Sequence, residues 1–141
     1  MTTSEPGDGR QSLTDREQID DLLTDYALAL DVDDIESCVQ LFTPDGGFEV
    51  YGRRFAGWDG LRTMMTAAPR GMHFAGRAQI DVSADRAAVR SQLIFFEASQ
   101  AETRLAIYDD DVVRVEGRWR FQTRRCQFLT PDGLSDRPAK R

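Results

Sequence analysis

A chain of 141 residues, 40% hydrophobic and 30% charged, has the balance of one globular domain. A domain of this size buries roughly 68–70% of its unfolded surface, enough for a core and a pocket. A net charge of −6 denies it the basic face that nucleic acid requires, and no apolar run approaches the ~20 residues of a membrane span. The polar opening MTTSEPGDGRQS holds no apolar signal segment, which points to a cytoplasmic protein. Cys38 and Cys126 lack CxxC spacing and read as plain thiols rather than metal ligands or a disulfide. One histidine and two cysteines do not make a structural zinc site, and there is no glycine-rich phosphate loop.

Residues 1–13 are expected to form a disordered arm, 14–131 the folded domain and 132–141 a flexible tail. Thr14 to Glu17 matches a capping box, in which each residue satisfies the other's free backbone amide. Ile19, Leu22, Leu23, Tyr26, Ala27 and Leu30 then follow the spacing of one helical face. The run ends on Asp31, a carboxylate that opposes the helix dipole. Asp34 is placed to cap a second helix over Ile35 to Phe42, and Thr43-Pro44-Asp45-Gly46-Gly47 has the composition of a turn.

Phe48 to Tyr51 and Arg53 to Ala56 pair as a short hairpin, and a third helix begins near Gly57 and stops at Pro69. Beyond it the chain is β: Ala78, Ile80 and Val82 alternate with polar residues, and Ala84-Asp85 turns. Ala87–Phe96, Arg104–Val115 and Arg118–Leu129 are long strands, the last two joined at Glu116-Gly117. The expected fold is α+β: a cone-shaped, curved antiparallel sheet with the N-terminal helices packed on its concave face around a pocket.

The order of these elements, with YALALD, FTPDGGFEVYGRRFAGWDGL, MHFAGRAQIDVSADRAAV and GRWRFQTRRCQFLTP, resembles the SnoaL-like branch of the nuclear transport factor 2-like superfamily. Within it the pattern is most similar to the group of scytalone dehydratase, bile-acid dehydratase and lindane dehydrochlorinase. That group pairs a histidine at the start of the first long strand with an aspartate ending the first helix, here His73 and Asp31. The dehydratases carry a tyrosine five residues before the aspartate, here Tyr26, where the dehydrochlorinase has a lysine. Arg124 matches an arginine that is functional in the dehydrochlorinase. Arg77 stands where an asparagine is often found, a change of charge near the pocket mouth.

The resemblance implies a lyase without cofactor or metal, a dehydratase-type β-elimination on a hydrophobic hydroxylated ring compound of polyketide-like, steroid-like or other polycyclic kind. His73 is then the base, Asp31 its orienting carboxylate, Tyr26 a donor and Arg124 an oxyanion or leaving-group stabiliser. Ketosteroid-isomerase-like or polyketide-cyclase-like chemistry, or a non-catalytic small-molecule-binding module, are the alternatives. Phe48, Trp58, Met64, Phe95 and Tyr108 are candidate pocket residues. Strands apolar on both faces point to a homo-oligomer, a dimer or trimer.

Three geometric demands follow. Tyr26 and Asp31 lie about 140° apart around a helix, so they share a cavity only at its end or if its last turn unwinds. His73 has the opposite strand parity from Ile80 and Val82, which calls for a bulge near Gly76 or a sheet covered on both faces. Arg124 is likewise out of phase with Trp119 and Phe121.

Overall fold

The computed structural model describes residues 13–139, so the arm expected over 1–13 lies, except for Leu13, outside the described residues. Helix α1 (Asp15–Asp31) opens on the capping box: the Glu17 amide donates to Thr14 Oγ1 at 3.1 Å and the Thr14 amide to Glu17 Oε1 at 2.9 Å. Its stripe of Ile19, Leu22, Leu23, Tyr26 and Leu30 is buried, with Ala27 half-buried. Each large aliphatic residue so buried contributes about 1.5–3 kcal/mol, more than helix propensity supplies. Helix α2 (Ile35–Val39) is capped by Asp34, which accepts from the Ser37 amide, and it ends three residues before the expected Phe42.

Phe42 instead begins β1 (Phe42–Val50), which takes in the segment expected to be a turn. β2 (Arg53–Ala56) returns from it, α3 (Gly57–Ala67) follows, and then come β3 (Gly71–Ala75), β4 (Gln79–Ser83) and β5 (Arg86–Glu97). β6 (Thr103–Val115), β7 (Arg118–Thr130) and β8 (Gly133–Ser135) complete the order. β8 falls where a flexible tail was expected and pairs with β7.

The expected cone is not what forms. The strands run β2-β1-β7-β6-β5-β3, with β4 also on β5, in an open sheet that is neither closed into a barrel nor strongly curved. The sheet is mixed, because β1 lies parallel to β7 whereas its other pairings are antiparallel. Thr43 to Gly47 is drawn into this parallel pairing, with a register shift between Phe42 and Gly47. The glycines serve close approach there: a Cβ on Gly46 would lie 3.0 Å from the Phe121 carbonyl oxygen and 3.1 Å from that of Gln122.

Two bulges settle the parity conflicts. Residues 76–78 between β3 and β4 face only residues 91–92 of β5, so His73 regains the face of Ile80. Gln122 is the extra residue of β7 opposite the Asp111/Val112 step, which turns Arg124 to the inner face with Trp119 and Phe121. The helices cover this inner face, where α1 contacts β3 and β7 and α3 contacts β1. The other face leaves Met72, Phe74, Ile94, Phe96, Leu105 and Leu129 exposed.

Candidate active site

An apolar cavity of about 450 Å³ lies between the helices and the sheet, within the range of small-molecule sites. Tyr26 and Leu30 from the end of α1, Met64 and Ala67 from α3, and Ala68 and Pro69 beyond it form one side. Phe48, His73, Leu93, Phe95, Ala106, Tyr108 and Phe128 from the strands form the other. Four of the five candidate pocket residues therefore line it. Trp58 does not: its indole N–H donates to the Phe42 carbonyl at 3.1 Å, away from the cavity.

The structure brings Asp31 and His73 together across 42 positions of sequence. His73 Nδ1 lies 2.7 Å from Asp31 Oδ1, and the His73 backbone N–H donates to both Asp31 carboxylate oxygens at 3.1 Å. β3 is an edge strand, so that N–H has no strand partner, and the carboxylate takes it together with the ring. One acid thus fixes both the backbone and the imidazole, which offsets its unfavourable place at a helix C-terminus. A second device seats the strand: a Cβ on Gly71 would lie 2.2 Å from the Phe96 carbonyl oxygen, so only glycine lets β3 meet β5 there.

A carboxylate against Nδ1 selects the Nδ1–H tautomer and leaves the lone pair on Nε2. The ring packs on Phe95 with centroids 4.7 Å apart. Burial holds the His73 pKa below its usual value, partly countered by the hydrogen bond and charge of Asp31. The imidazole is therefore neutral, and basic at Nε2, at neutral pH. Tyr26 lines the cavity at the end of α1, whereas Asp31 does not line it and acts there only through His73, so the helix needs no unwinding. The Tyr26 phenol is pushed well above its usual pKa by burial, so it stays a proton-bearing donor.

Arg124 is not among the cavity-lining residues. Its guanidinium is sealed beneath them, 4.3 Å from the centroid of the Tyr26 ring, 3.8 Å from Tyr108 and 4.7 Å from Phe121. Its Nε lies 3.1 Å from Oδ1 of Asp110, its cross-strand neighbour, with both side chains at most 2% exposed. It reaches the site only through the aromatic rings. Arg77, exposed in the break between β3 and β4, does not line the cavity either.

The sequence reading missed Tyr51, Arg53, Arg104 and Cys126, all on the cavity wall. Arg104 left a signal, because it continues the inward parity of Ala106 and Tyr108. The thiols of Cys38 and Cys126 are pushed up to about 12 by burial, which makes them poor nucleophiles. Among the described residues no group of three or more histidine, cysteine, aspartate or glutamate side chains could hold a metal ion, and no helix is long and apolar enough to cross a membrane.

Comparison with solved structures finds the same fold repeatedly. A protein of unknown function from Mycobacterium tuberculosis superposes with a TM-score of 0.74 at 28% identity, over 79% of this chain and 70% of that one. A candidate scytalone dehydratase from Novosphingobium aromaticivorans gives 0.71 at 24% identity, over 88% of each chain. A hexachlorocyclohexane dehydrochlorinase gives 0.71 at 16% identity, over 89% of this chain and 88% of that one. No curated protein matches in sequence. The family model that does match is the SnoaL-like domain, over residues 11–125, and the chain belongs to that family.

Proposed function

We propose that the protein is a lyase of the dehydratase type, acting by β-elimination on a hydrophobic hydroxylated ring compound of polyketide-like, steroid-like or other polycyclic kind. The observation that carries this reading is the 2.7 Å contact between His73 Nδ1 and Asp31 at the wall of an apolar cavity. Nε2 of His73 takes the proton α to a carbonyl, and the C–H electrons become an enolate. Tyr26 donates a hydrogen bond to the enolate oxygen without ionising, as its raised pKa requires. The enolate collapses, the carbon–oxygen bond breaks, and the imidazolium returns its proton to the departing hydroxyl as water. Asp31 stabilises the imidazolium between the two transfers.

An isomerase or cyclase would use Tyr26 as the same donor with Asp31 as the base, and its enolate is reprotonated or attacks another carbon. Mass spectrometry of the product separates the two: elimination removes water or HX, and isomerisation leaves the mass unchanged. Under the elimination reading His73→Ala and Asp31→Asn fold normally and lose most, but not all, of their turnover. Undiminished turnover in both would remove the dyad from the mechanism.

The exposed apolar outer face, with Phe74 at 64% and Met72 at 56% exposure, fits burial in a homo-oligomer, a dimer or trimer. Light scattering at micromolar concentration should give a multiple of the chain mass, and Phe74→Glu should lower it to that of a monomer. A monomer in the unmodified protein would refute this.

A further inference from the structure

The cavity wall is uneven in charge. Its lining includes two arginines, Arg53 and Arg104, and no carboxylate, in a chain whose net charge is −6. Arg104 is the inner-face neighbour of Phe95, which is in turn the neighbour of His73 on β3. The three form one cross-strand row, so the Cα atoms of His73 and Arg104 stand two strand spacings apart, about 10 Å. Base and guanidinium therefore face one cavity from places separated by roughly the length of a fused two-ring compound.

The arginine end is built. Arg104 Nη1 donates to the Tyr51 hydroxyl at 3.3 Å, and Glu102, outside the cavity, holds its Nη2 at 3.2 Å. Tyr51 stacks on Phe128 and has φ of 57°, a left-handed conformation costly for an aromatic residue and more usual for asparagine in this hairpin position. That strain holds a phenol against Arg104. Arg53 lies on the cavity rim over the Phe55 ring at 4.3 Å and has no carboxylate partner among the described residues. Of the two cations, Glu102 balances one.

We infer that the substrate is a ring compound bearing a carboxylate, docked on Arg53 and the Arg104–Tyr51 pair with its reacting carbon at His73. This rests on the reading of the cavity as a ring-compound site and adds the acid group. A cavity that carries two guanidinium groups on its wall and rim and no carboxylate favours an anion there, because a guanidinium offers a planar fork of N–H donors that matches a carboxylate.

The test uses binding, not turnover, with 2-naphthoate and 2-naphthamide as matched probes in titration calorimetry. The unmodified protein should bind the carboxylate about tenfold or more tightly than the amide. Arg53→Gln and Arg104→Gln should each shrink that ratio while leaving amide affinity in place, and His73→Ala should keep it. Arg53 is exposed on a short strand, so its variant tests the idea even if the Arg104 variant does not fold. Equal affinity for the two probes, or a ratio unchanged in the arginine variants, overturns the carboxylate assignment and leaves the elimination reading intact. Failure of both probes to bind overturns the ring-compound reading and this inference with it.

Discussion

Asp31 with His73 and Asp110 with Arg124 are both acid–base pairs carried on the inner face of one domain, and they have opposite surroundings. The first is 13–17% exposed, borders a cavity through His73, and is hydrogen-bonded through the ring Nδ1 and the backbone, with Nε2 left free among the described residues. The second is sealed. Its ions lie 3.1 Å apart, yet neither Asp110 oxygen makes a hydrogen bond, nor do Arg124 Nε and Nη1, and aromatic rings close over the guanidinium. Burial raises the Asp110 pKa to about 7 against the pull of Arg124. A pair becomes chemical equipment by having one face open to a ligand and the other held. A pair with no open face can only be a strut, and a strained one.

The strongest way to break this contrast is to remove each pair in turn. His73→Ala should cut turnover by about 10²–10⁴-fold, the usual range for a general base, with little change in melting temperature. Turnover kinetics beside a thermal melt would check both halves. At the other pair the effects should exchange places. Arg124→Met strands a buried carboxylate and should cost about 3–5 kcal/mol of stability by urea unfolding, whereas replacing both Asp110 and Arg124 by leucine should recover most of it. Stability equal to wild type in Arg124→Met would mean that the pair is not a strut.

The pH responses sharpen the difference further. Between the unfolded carboxylate pKa of about 4 and its folded value of about 7, the folded state holds more protons at Asp110 than the unfolded state does. Its contribution to stability is therefore present at low pH and lost as pH rises toward 7. The cost of Arg124→Met should accordingly be smaller at pH 5 than at pH 8. His73 has the opposite sign: its folded pKa is lowered, so its contribution is present above about 6.5 and lost as pH falls below that value. For the reaction, the acid limb of kcat/KM should fall below pH 6.5. The smallest effect expected is a shift of that limb to still lower pH in Asp31→Asn, since Asp31 raises the His73 pKa. An upward shift would contradict the assigned roles.

The parts of the fold legible in the sequence were those with local causes. The α1 boundaries follow from a capping box and a 3.6-residue stripe, and the Glu116-Gly117 hairpin from a glycine in a two-residue turn whose residues have φ of 52° and 77°. The segment Thr43 to Gly47 misled because its composition is that of a turn, while its actual role is set by β7, more than seventy positions away. The same parallel pairing turned the expected antiparallel cone into an open mixed sheet. In the site, strand parity signalled that something irregular must lie near Gly76, but could not say that Gln122 does the same for Arg124. Tyr51 and Arg53 gave no periodic signal, because they sit in and beside a two-residue turn.

By itself the amino-acid sequence determined the helices, the long strands, the inward-facing apolar set and the identity of an acid, a phenol and an imidazole suited to proton transfer. Those depend on interactions within a few residues or on side-chain chemistry that is present before folding. Tertiary structure alone decided that β1 runs parallel to β7, that Asp31 grips His73 by ring and backbone, and that Arg124 is walled off while Arg104 reaches the cavity. Each of these depends on a one-residue offset or a distant strand neighbour, and a period-two pattern does not encode which partner a strand will find.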